Sequence, residues 1–69
     1  MIMKLTCSYD RDILEVSGKA EDLTTRLKDF WKRVKKTDVP EQLQKDLCFA
    51  LMDGKILKTE VEGVSIYLR

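Results

Sequence analysis

Histidine is absent from these 69 residues, proline occurs once, glycine three times and cysteine twice. Each scarcity narrows the chemistry. Without histidine the commonest general base, the usual nitrogen ligand for zinc and the customary partner of a Ser or Cys nucleophile are all missing. Cys7 and Cys48 fall on different predicted elements, so neither a CxxC pair nor a four-cysteine zinc pattern exists. Gly18, Gly54 and Gly63 stand alone, each at a turn or helix boundary, which leaves no glycine-rich loop to cradle a phosphate. No metal and no cofactor are expected.

Long apolar runs are lacking too. No stretch approaches the roughly 20 apolar residues that span a bilayer, and the first residues, MIMKLTCSYD, lack the apolar centre of a secretory signal. The expectation is a cytoplasmic chain with no membrane partner, in which Cys7 and Cys48 stay reduced.

What is present is a globular composition, with 43% apolar residues and a formal charge of +1. The chain has room for a single domain, residues 1–69. A domain this small buries only about 60% of its unfolded surface, and its core contributes roughly 3–5 kcal/mol. Natural domains of this size add disulfides, a metal or a partner subunit. With the first two unsupported, a second copy of the chain or a protein partner is the expected supplement.

Periodicity divides the chain into six elements. Met3, Leu5, Cys7 and Tyr9 alternate with Ile2, Lys4, Thr6 and Ser8, the period of a half-buried strand. If Asp10-Arg11 forms a two-residue turn, Leu5 faces Val16 and Cys7 faces Leu14 on one apolar side. A second hairpin centres on Glu62-Gly63 and pairs Val61 with Val64, Thr59 with Ile66 and Leu57 with Leu68.

Between the hairpins, Leu23, Leu27, Phe30, Trp31 and Val34 form a helical stripe, with Ala20 leading into it. Glu21 and Asp22 near its start and Lys35 and Lys36 near its end suit the helix dipole. A second helix is marked by Asp38 as N-cap, Glu41 as its capping-box partner, Pro40 in the first turn and Gly54 past the end. Its stripe is Leu43, Leu47, Ala50 and Leu51. Asp53-Gly54 also suits a hairpin, which would turn residues 47–52 into a strand; Leu, Ala and Met propensity, capping and length favour the helix. The predicted fold is α+β, in ββααββ order, an antiparallel four-stranded sheet from two hairpins with two helices packed on one face.

Two surfaces stand out. The segment Arg26–Lys36 holds Arg26, Lys28, Lys32, Arg33, Lys35 and Lys36, six of the thirteen basic residues, against the single acid Asp29, and leaves the rest of the chain net acidic. On a helical wheel these cations surround the apolar stripe, as a solvated face does. A helix laid on phosphates can look the same, because counterion release requires only cations within reach. The second surface comprises Ile2, Ile13, Ile56 and Tyr67 on the sheet face without helices, together with Phe49 and Met52, and Cys48 beside them, off the second helix's stripe.

The sequence therefore predicts a non-enzymatic binding module, a small regulatory or accessory protein acting through protein–protein contacts and self-association, most simply as a dimer. Nucleic-acid binding through the basic helix is the alternative. An enzyme would have to draw on Lys4, Glu15, Lys58 and Glu60 on the outer sheet face, where cross-strand ion pairs are the commoner explanation.

Overall fold

The computed structural model describes residues 2–69 and has the order β1 (Met3–Tyr9), β2 (Asp12–Gly18), α1 (Ala20–Lys35), α2 (Glu41–Asp53), β3 (Leu57–Val61) and β4 (Val64–Leu68). Its strands form one antiparallel sheet in the order β2-β1-β4-β3, so the two hairpins meet through their inner strands. Both helices pack against the same face, as the α+β reading requires.

The registers follow from side-chain alternation and turn geometry. Leu5 pairs with Val16 and Cys7 with Leu14 in the first hairpin, and Val61 with Val64, Thr59 with Ile66 and Leu57 with Leu68 in the second. Between hairpins, Leu5 meets Leu68 and Cys7 meets Ile66. All these residues share one face because a one-residue slip would turn the whole apolar set to solvent. Glu62 and Gly63 both adopt positive φ, 51° and 83°, as a type I′ hairpin turn demands. In the first turn Asp10 takes φ 54°, a conformation that a short polar side chain tolerates.

The core lies between this face and the helices. Leu5, Cys7, Leu23, Trp31, Val64 and Leu68 are fully shielded, with 0% of their surface exposed. Trp31 sits under α1, where its indole N–H donates to Thr37 Oγ1 at 3.3 Å, so the burial of its large ring leaves no polar atom unpaired. Leu14 and Val16 share the inner face but are only half-buried, since β2 is an edge strand covered from one side.

The start of α2 corrects the sequence reading. Residues 47–52 are helical, but Pro40 occupies the N-cap position and no side-chain cap forms, so the Asp38–Glu41 capping box is not made. The cause is the order Val39-Pro40. A residue before proline is driven to extended backbone, which delays the helix to Glu41 and turns Val39 inward, where it is 6% exposed. Gln44 Nε2 donates to the Val39 carbonyl at 2.8 Å, holding the connection that an Asp38 cap would have held. At the other end Gly54 closes α2 in the left-handed conformation, φ 66°, with its N–H on the Ala50 carbonyl.

Candidate functional site

The six cations of the α1 segment do not form one surface. Arg26, Lys28, Lys32, Arg33 and Lys36 are exposed, while Lys35 is half-buried. Lys35 Nζ donates to the Glu62 carbonyl at 3.0 Å and lies 4.7 Å from the centre of the Tyr9 ring. It therefore fastens the end of α1 to both hairpins and is occupied structurally. Lys36 forms the left-handed end of α1, φ 62°, and Arg33 lies over Phe30 at 5.3 Å. Helical spacing puts Lys28 and Lys32 on the flank toward α2, with Arg26 and Arg33 on the opposite flank. None of these joins an ion pair: among the described residues the one salt bridge is Lys45–Glu41, 3.5 Å on exposed α2 positions.

The apolar residues expected to form a partner surface are dispersed. Ile2, Ile13 and Ile56 are exposed at 73%, 68% and 69%. Register places Ile13 in the row with Ser8, Ser65 and Glu60, whereas Ile2 and Ile56 lie at the other end of the sheet. Tyr67 does project from this outer face, but it is half-buried under Lys58 and Arg69, 5.9 and 5.3 Å from its ring centre. The tyrosine counted among the exposed residues is thus covered by its own neighbours. The remaining described residues of the outer face, among them Lys4, Thr6, Ser8, Glu15, Lys58 and Ser65, are polar.

The same face separates the residues an acid/base mechanism would use. Glu15 pairs with Thr6 on edge strand β2, and Glu60 pairs with Ser65 from edge strand β3, accepting from Ser65 Oγ at 3.4 Å. A shallow depression of about 450 Å³ takes in Lys58 and Glu60 but not Glu15 or Lys4, so the two carboxylates do not share it. Among the described residues, no three Cys, Asp or Glu side chains stand close enough to hold a metal ion.

A groove missed in the sequence lies between the helices. It has a volume of about 600 Å³ and a floor of Leu27, Val39, Leu47 and Leu51. Lys28 and Glu21 of α1 stand along one side and Cys48 and Met52 of α2 along the other. Helical period explains the opening: each helix points its main stripe down at the sheet, so the flanks that face each other meet only through shorter or more mobile side chains. The apolar surface of α2 continues past this side, with Phe49 64% and Met52 77% exposed and the Cys48 thiol 3.7 Å from Met52 Sδ. Cys7, by contrast, is buried under the sheet face, and burial pushes its thiol up to about 12, which makes it inert as a nucleophile at neutral pH.

No family model, curated protein or solved structure matches this chain. No helix among the described residues is long and apolar enough to cross a membrane.

Proposed function

We propose that the protein is a non-enzymatic binding module, a small regulatory or accessory protein of the cytoplasm that works by protein–protein contacts and self-association through its helical layer. The observation that carries this reading is the apolar groove between α1 and α2, continuous with the exposed Phe49 and Met52. A small molecule filling the groove would touch Met52 at its edge but leave Phe49 in water. A partner's amphipathic helix covers groove and flank together, with apolar residues at i, i+3, i+4 and i+7 laid along the floor.

Titration of ¹⁵N-labelled protein with amphipathic helical peptides whose polar faces are acidic, neutral or basic tests the reading. It expects shifts at Thr24, Lys28, Leu47, Leu51 and Met52. Silence at these positions with every peptide would overturn it.

Nucleic-acid binding is the second reading, favoured by the absence of ion partners around Arg26, Lys28, Lys32 and Arg33 among the described residues. It predicts that short oligonucleotides at low salt shift the outer amides of α1, with affinity falling with salt at a slope of about −0.9 per duplex phosphate neutralised. Base specificity is not expected, because Tyr67 is occupied and the sheet offers no stacking platform.

A further inference from the structure

Lys45, Cys48, Phe49 and Met52 recur at i, i+3, i+4 and i+7 on α2, and all four side chains are exposed. This is the spacing of a helix–helix seam, yet it is not packed on the sheet: Cys48 and Met52 edge the groove toward α1, and Lys45 and Phe49 lie beyond it. The apolar stripe that anchors α2 is a different one, Leu43, Leu47 and Ala50. The helix thus carries one seam that is used and one that is open.

We propose that the open seam is covered by α2 of a second copy of this chain, antiparallel and related by a two-fold axis that passes between Cys48 and Phe49. The occupant follows from the charges at the seam's ends. Lys45, paired with Glu41 one turn before it at 3.5 Å and still 60% exposed, stands at one end, and Asp53 follows Met52 at the other. Antiparallel pairing lays the Lys45 stem over Met52 of the second copy and brings its ammonium to Asp53 there, twice by symmetry. Parallel pairing sets each Lys45–Glu41 pair against its copy, which adds no new attraction, and aspartate against aspartate, which is unfavourable. A two-fold interface must be complementary to itself, and this stripe meets that condition with its own sequence. The surface is that of one helix and smaller than the roughly 800 Å² per partner of a standard interface; association falls in the micromolar to millimolar range.

This inference rests on the reading of the protein as a module that acts through protein contacts, and the experiment separates the two. Sedimentation equilibrium of the whole chain, from low micromolar to millimolar concentration, is expected to show a monomer–dimer equilibrium. Phe49→Arg weakens it by roughly tenfold or more. Lys45→Asp and Asp53→Lys each weaken it, and the double exchange restores it. All four positions are exposed, so an unchanged circular dichroism spectrum establishes that each variant is folded. A bismaleimide spanning the about 8–10 Å between packed helix axes is expected to link two copies through Cys48 and to fail in Cys48→Ser. A strict monomer at millimolar concentration overturns the proposal, as does a dimer that survives Phe49→Arg. If the monomer's groove still responds to amphipathic peptides, docking on a partner protein stands and self-association is wrong; if it does not, both fall.

Discussion

The two helices lie on the same sheet face and end alike, in a left-handed residue, but they use their surfaces differently. α1 buries Leu23, Leu27, Phe30 and Trp31, and apart from Ala20 at its start every residue it exposes is charged or polar. α2 buries only Leu43, Leu47 and Ala50 and turns Cys48, Phe49 and Met52 to solvent. Exposed apolar residues add little stability to the isolated chain, and their grouping on α2 is what the proposed contact surface rests on. α1 therefore carries the larger share of the core, and on the proposed reading α2 carries the contact surface. This also reverses the emphasis of the sequence, in which the cations of α1 are the most conspicuous feature.

The sharpest way to break this division is to truncate an aromatic residue in each helix. Trp31→Ala removes the largest side chain of the core and is expected to cost about 3–5 kcal/mol, comparable with the whole stability of so small a domain; loss of the cooperative transition in thermal denaturation checks it. Phe49→Ala, measured at low micromolar concentration, is expected to shift stability by no more than about 0.5 kcal/mol. If the two variants cost the same, α2 is as much a core helix as α1 and the division is wrong.

The core under α1 and β1 can be probed by pH. Burial lifts the Cys7 thiol from 9.0 to about 12, so the folded state keeps it neutral while the unfolded chain ionises above 9. The stability this neutral thiol supports is complete below pH 9. It declines as pH rises toward 12, with a slope approaching about 1.4 kcal/mol per unit. Chemical denaturation across that range should show a steeper loss for the wild type than for Cys7→Ala. At neutral pH one thiol, Cys48, should react promptly with a disulfide reagent, and Cys7 only on unfolding.

A smaller effect is expected at the end of α1. Lys36 adopts φ 62° without being glycine, a conformation that costs an L-residue about 1 kcal/mol. Lys36→Gly should stabilise the protein by about 0.4–1 kcal/mol in urea denaturation while removing one of the exposed cations. The matching position after α2 is already glycine, so Gly54→Lys should destabilise by a similar amount.

Much of the fold was legible because independent local signals agreed. In each hairpin the alternation of side chains and the turn residues specify the same register, and neither could be shifted without exposing Leu5, Cys7, Ile66 or Leu68. The interior role of Val39 was not legible. It stands alone between Asp38 and Pro40 with no periodic partners, and only the extended backbone imposed by the proline directs it inward. The capping box failed for the same reason, a local motif overridden by its neighbour. Lys35 read as one of six equivalent cations because its partners, Tyr9 and the Glu62 carbonyl, are far away in sequence. The groove could not be read at all, since it arises from the spacing between two helices. Phe49 and Met52 were visible as off-stripe residues, but their separation from Ile2, Ile13 and Ile56 required the fold.

The claim that α2, and not the basic face of α1, is the contact surface is tested most directly by a concentration series of ¹H–¹⁵N correlation spectra of the wild-type protein. Shifts that grow with concentration should cluster at Lys45, Cys48, Phe49, Met52 and Asp53, with Arg26 and Arg33 unchanged. Shifts centred on Arg26–Lys36 or on the edge strand β2, or spectra that do not change with concentration, would contradict it.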